Sequence, residues 1–200
     1  MHPGVQRKTC AMGWGLWATE RIPANTVVLA ERPILGRTRE STVDAMFALI
    51  KVALDTHRAA FLQLAPRAAE SAESVAYSII RDAHRKHVPH LSRSDALLYA
   101  TKYVRNAFAT VHGPALLFQG AVFNHSCDPN VLFSLHSGVM VFRTCRDVRA
   151  GEQLFDKYGS PTKRDAIKYH ARLAEQYGFR CACSLVPNSK KRDKQTKLTN

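Results

Sequence analysis

The sequence predicts an α+β protein, mostly β, in which short strands are interrupted by an inserted block of helices. Three observations carry that expectation. Residues 5–36 read as short extended pieces punctuated by glycine and proline, the apolar spacing turns helical from residue 41, and strand-like alternation returns after Gly113-Pro114. The chain has 200 residues and is 46% hydrophobic, enough for one domain with a substantial core.

Extended pieces are expected over Val5–Thr9, Trp14–Thr19 and Val27–Ala30, broken by Gly13, Gly15 and Pro23. From Ser41, which can pair with Asp44 as a cap, Val43, Phe47, Ile50 and Leu54 fall on one helical face, and Pro66 closes the element. A second helix is expected over Ala68–Ala83 with Val75, Ile79 and Ala83 aligned. A third starts at Ser94, carries the stripe Leu97, Val104, Phe108 and Val111, and ends before Gly113-Pro114. Val131–Leu135 and Val139–Arg143 flank His136-Ser137-Gly138 and predict an antiparallel hairpin. A last helix runs from Thr162, capped by Asp165, to Tyr177, where Gly178 can take the left-handed stop conformation.

Lysine and arginine total 29 against 16 acidic residues, a formal charge of +13 that favours contact with nucleic acid, chromatin or acidic protein surfaces. Part of the excess lies in the tail 185–200, which has no apolar periodicity and is expected to be solvated and flexible. No segment approaches the roughly 20 apolar residues that span a bilayer. Five cysteines, Cys10, Cys127, Cys145, Cys181 and Cys183, in a chain whose first residues lack a secretory core, suit a reducing intracellular setting, nucleus or cytoplasm. Thiols or metal ligation are then expected over disulfides.

Four motifs carry the chemistry. Gly13-Trp14-Gly15 lets backbone approach a ligand closely, but it lies between two strands, so it is no dinucleotide fingerprint. Phe123-Asn124-His125-Ser126-Cys127-Asp128-Pro129-Asn130 places uncharged ligand-holding side chains among backbone-directing ones, and as a plain loop its Asn and Asp would make local turns. Gly151-Glu152-Gln153-Leu154-Phe155-Asp156-Lys157-Tyr158-Gly159 and Tyr177-Gly178-Phe179-Arg180-Cys181-Ala182-Cys183 follow. In that order the motifs resemble the SET-domain protein lysine methyltransferases, most closely the SET-and-MYND branch.

The resemblance implies a β-clip of short strands with a pseudoknot, over one domain at 1–184. It divides into strands at 5–36, a helical insertion at 37–115, a core at 116–160 and a terminal helix with a post-SET-like segment at 161–184. It also implies S-adenosyl-L-methionine as cofactor, held by Gly13, Trp14, Gly15, Asn106, Asn124, His125 and Phe179. Tyr158 would be the catalytic residue, with Phe108 and Tyr177 lining the channel for a substrate lysine of a histone or other protein. Methyl transfer from a sulfonium is an in-line displacement, so alignment in a dry aromatic passage suits it, with no catalytic metal or nucleophilic cysteine.

Two departures stand out. No cysteine occurs between Cys10 and Cys127, so the MYND finger is absent from that interval. The family's structural zinc uses the motif cysteine plus Cys-x-Cys-x-x-Cys, but here Cys127, Cys181 and Cys183 are followed by Val186. A fourth ligand would have to be Cys10, Cys145 or a histidine, or the site is metal-free. That incomplete set motivates a second reading, a SET-like interaction module that has lost turnover.

Overall fold

The computed structural model describes residues 1–11, 13–36, 42–65, 77–159 and 166–181. The expected caps at Ser41 and Asp165, the Pro66 stop, the helix start at Ala68 with Val75, the start at Thr162, Cys183 and the tail 185–200 lie outside the described residues.

Three small sheets frame the molecule. Strands β1 (Val5–Cys10) and β2 (Gly13–Ala18) form a hairpin, and β2 pairs antiparallel with β10 (Gln153–Asp156). β10 in turn runs parallel to β7 (Asn124–His125), with Phe155 opposite Asn124 and Asp156 opposite His125. A second sheet joins β3 (Val27–Glu31) to the hairpin of β8 (Val131–His136) and β9 (Val139–Thr144). Its turn is the two residues Ser137 and Gly138, both at positive φ, as a tight twisted hairpin requires. Asn25 also sits at positive φ, a geometry asparagine tolerates. The third sheet is β4 (Ile34–Leu35), β6 (Gly113–Leu116) and β5 (Ala107–Thr110).

Helices α1 (Thr42–Leu62), α2 (Tyr77–His87) and α3 (Arg93–Asn106) bury Phe47, Ile50, Phe61, Ile80 and Ala100 against one another. Ser92 caps α3 by accepting the Asp95 N–H at 3.1 Å, two residues ahead of the expected start at Ser94. Two expectations are corrected. Ile79 is exposed, and α2 turns Ile80, Ala83 and His84 inward instead. α3 also stops at Asn106: Ala107 is already extended, and Phe108 belongs to β5, where Pro114 and Gly113 of β6 give its neighbours strand partners. The inserted block therefore ends in a β-hairpin, and Val111 at its tip is exposed. Sheet pairing with Ile34-Leu35 and Leu116 outweighed the helical spacing of Val104 and Phe108.

Two polar side chains tie α3 to the end of α1, whose last carbonyls lack helical partners. Lys102, almost wholly buried, donates its ammonium to the carbonyls of Leu62 (3.1 Å) and Leu64 (2.5 Å). Asn106 donates its amide to Ala65 O at 2.6 Å and Lys102 O at 2.7 Å. Helix α4 (Ala166–Tyr177) ends at Gly178, which is left-handed and donates its N–H to Ala174 O. No helix among the described residues is long and apolar enough to cross a membrane.

Candidate active site

Asn130 is why the Asn-His strand lies where it does. It is fully buried, donates its amide to Gln153 O (2.8 Å) and Glu152 Oε1 (3.2 Å), and accepts the Phe155 N–H at 2.7 Å. The sequence suggested only a local turn; the side chain instead stitches the end of the motif to β10. Glu31 does the same from the other side, its carboxylate accepting the backbone N–H groups of Phe118, Gln119 and Gly120 at 2.7–3.1 Å. That grip fixes the turn leading into Phe123-Asn124-His125.

Asn124 donates its amide to Trp14 O at 3.0 Å and touches Cys10 Sγ at 3.5 Å, fastening β7 to the first hairpin. Gly15 is buried there: a Cβ would collide with the Gln153 amide and lie 2.9 Å from Asn124 Nδ2, so the close approach needs glycine. Gly15 supports the site from behind, while Gly13 and Trp14 line a cavity of about 1090 Å³ with Asn106, Asn124, His125, Tyr158, Tyr177 and Phe179. A second cavity, about 610 Å³, is lined by Phe108, Phe123, Asp156, Tyr158 and Tyr177. Tyr158 and Tyr177 border both.

Tyr158 is anchored at three points. Its hydroxyl donates to Phe123 O (2.7 Å), its N–H donates to His125 Nδ1 (3.1 Å), and its carbonyl accepts the Tyr169 hydroxyl (2.7 Å). Its ring lies 4.7 Å from Tyr177, 5.3 Å from His125 and 6.3 Å from Phe179, centroid to centroid. Phe108 packs edge-on to Phe133 and Phe142. Burial pushes the Tyr158 phenol well above its ordinary pKa, helped by the nearby Asp156 and Tyr177, and burial likewise raises Tyr177. Both stay neutral donors at any working pH.

His125 must accept at Nδ1, because the Tyr158 amide can only donate; its hydrogen therefore sits on Nε2 and points at Cys127 Sγ, 3.2 Å away. Burial first, with neighbouring His170 and Lys157, lowers its pKa to about 4, so the ring is neutral. His125, Cys127 and Cys181 lie close enough together to suggest a metal site, but that tautomer removes His125 as a ligand and makes it a donor to the Cys127 sulfur. His170 of α4 also approaches, with Nε2 3.8 Å from Cys127 Sγ, and Cys181 Sγ is 3.6 Å from Cys127. A tetrahedral zinc with Zn–S of about 2.3 Å and Zn–N of about 2.0 Å sets its ligand atoms about 3.5–3.8 Å apart, which matches both separations from Cys127, while the compact group of potential ligands among the described residues is His125, Cys127 and Cys181. Cys10 instead contacts Asn124, and Cys145 donates to Pro129 O.

Residues 13–159 match the SET domain family. The chain belongs to that family. It is 32% identical over 193 residues to a SET domain-containing protein of Acanthamoeba polyphaga mimivirus, covering 90% of this chain and 75% of that one. It is 28% identical over 183 residues to the histone-lysine N-methyltransferase set5 of Schizosaccharomyces pombe, covering 86% of this chain and 47% of the relative. The fold is that of the SET domain of LSMT solved with methyl-lysine and AdoHcy, with a TM-score of 0.66 at 15% identity over 90% of this chain and 53% of that one. The SET chain thus spans about half the length of the yeast relative and of LSMT.

Proposed function

We propose that this SET domain transfers a methyl group from S-adenosyl-L-methionine to the side-chain amine of a lysine in a protein. The observation that carries this is the placement of Tyr158 on the wall shared by two cavities, one bounded by Gly13, Trp14, Asn124 and Phe179, the other by Phe108 and Tyr177. The set5 relative is named a histone-lysine methyltransferase, and LSMT is solved with lysine or AdoMet bound, which supports the same class of reaction.

In this scheme the larger cavity holds the cofactor, whose sulfonium methyl is the electrophile. Asn124, His125 and Phe179 bound it, and the smaller cavity receives the lysine stem between Phe108 and Tyr177. Aromatic walls exclude water and favour the neutral amine over the ammonium. The Tyr158 hydroxyl, held by Phe123 O, orients the amine and answers charge as it shifts during transfer. The exposed substrate lysine belongs to a histone or non-histone protein, and the basic surface allows contact with chromatin. The module is read as SET-and-MYND-like, with no cysteine between Cys10 and Cys127 to build the MYND finger in that interval. A structural zinc ion would be held by Cys127 and Cys181, with His170 beside Cys127 and Cys183 two residues past Cys181 as the further candidates, tying the Phe179 segment to the stretch after β7. His170 is a candidate for the ligand that the short cysteine set lacks.

Incubation with labelled cofactor and cell extract tests the activity. Wild type should label at least one protein band, and Tyr158→Phe should label it about 10²-fold more slowly while binding cofactor with unchanged affinity by calorimetry. Equal labelling by the variant, or none by a folded, cofactor-binding wild type, contradicts the assignment. For the metal, protein purified with zinc should contain about one ion per chain, and His170→Ala or chelation should remove it and lower Tm; full zinc content in His170→Ala would exclude the histidine as ligand.

A further inference from the structure

Asp156 is a carboxylate with no evident structural task. It closes β10 opposite His125, is 2% exposed, and is the one acidic residue among the described residues lining the smaller cavity. Its Oδ1 accepts the Lys157 N–H at 2.5 Å, whereas Oδ2 has no hydrogen-bond partner among the described residues. Oδ2 is not among the fully buried unpaired atoms of the described residues; as part of the cavity lining it is an acceptor that a ligand entering the cavity can complete. Around it stand Lys157 on its own strand end, Arg105 from α3, Arg172 and Tyr177 from α4, Tyr158, and His125 across the parallel pair. Lys157, Arg105 and Arg172 bring donors to the cavity, burial raises both phenols above their ordinary pKa, and His125 has its lone pair occupied by the Tyr158 amide.

We propose that Asp156 Oδ2 is the proton acceptor for the lysine ammonium entering the smaller cavity. This rests on the methyl-transfer function proposed above. The ammonium gives one N–H proton to Asp156, leaving a neutral amine and a carboxylic acid. The amine lone pair then forms the N–C bond as the carbon–sulfur bond of the sulfonium breaks, its electron pair staying on sulfur. The product leaves as a methylammonium, and Asp156 returns its proton to water when the cavity opens. Desolvation raises the carboxyl to about 7, matched to a base working near neutrality, against the opposing pull of the Lys157 N–H.

Two measurements test the proposal, one of them independent of turnover. With a labelled substrate in hand, Asp156→Asn should lower kcat about 10²-fold at pH 7, with the gap narrowing to below about tenfold near pH 10, where lysine supplies its own neutral amine. A variant within threefold of wild type at pH 7, or one depressed equally at every pH, overturns the base assignment. In the second, butylamine is titrated at pH 8 into protein loaded with S-adenosylhomocysteine, in buffers of different ionisation enthalpy. Wild type should release close to no protons, because the proton stays on Asp156, and Asp156→Asn should release about one. Equal proton counts overturn the proposal. A clear difference in proton count beside a wild type that labels no protein would instead count against the methyl-transfer function.

Discussion

The helical block and the Asn-His crossing are both well buried, yet they are held by different forces. In the block, Phe47, Ile50, Phe61 and Ile80 pack side chain to side chain, a cohesion that is strong but indifferent to small displacements. At the crossing, Asn130, Glu31 and Asn124 fix backbone groups by hydrogen bonds with defined lengths and directions. Apolar packing supplies most of the stability, and buried polar side chains supply position where two cavities must meet on one tyrosine. Mutations should therefore separate stability from function according to which region they strike.

The largest loss of stability belongs to the block. Phe47 is fully buried, and Phe47→Ala should cost about 3–5 kcal/mol in urea denaturation, while the folded fraction binds cofactor with unchanged affinity. A matching collapse of cofactor affinity would mean that the two regions are coupled. Asn130→Ala should cost less, about 2–4 kcal/mol for three broken hydrogen bonds that leave backbone groups unpaired. Its functional effect runs the other way: cofactor affinity by calorimetry should fall more than tenfold. Unchanged affinity would show that β7 keeps its place without the stitch.

Asp156 sharpens the contrast, since it destabilises the fold at the site. Its folded pKa of about 7 lies above the unfolded value of about 3.9. The fold therefore binds more protons than the unfolded chain between these values, and stability contributed by the protonated form is present below pH 4 and declines as pH rises through 7. Asp156→Asn should be more stable than wild type at pH 8, by on the order of 2 kcal/mol, with the advantage gone near pH 4. A destabilised variant at pH 8 would mean that the carboxylate is satisfied in the fold.

Much of this architecture was legible in the sequence where partners are near neighbours. The hairpin of β8 and β9 follows from alternation around Ser137-Gly138, the stop at Gly178 from a glycine after an apolar stripe, and the position of Phe47 from helical spacing. The motif order also led to the SET fold, with Tyr158 beside His125. What stayed hidden depends on long-range partners. Glu31 grips amides 87–89 residues away, Asn130 reaches residues 152–155, and the His170 ring meets Cys127 only once α4 has docked. A single asparagine or histidine carries no periodicity to betray such a partner. Phe108 failed for a related reason: its spacing from Val104 suits a helix, and only pairing with Ala115 reveals the strand.

Ile79 offers the smallest effect and the finest test of how the block is oriented. Helical spacing grouped it with Ala83, yet it is 63% exposed, whereas Ile80 is fully buried. A rotation of one residue, about 100° on a helix of 3.6 residues per turn, separates the two arrangements. Ile79→Ser should shift stability by no more than about 0.5 kcal/mol, and Ile80→Ala should cost about 2–5 kcal/mol. If Ile79→Ser instead cost several kcal/mol and Ile80→Ala almost nothing, α2 would present the other face to Phe47. The His84 bonds to Tyr77 and Leu91 O could then not form, because they require the face that carries Ile80 to point inward.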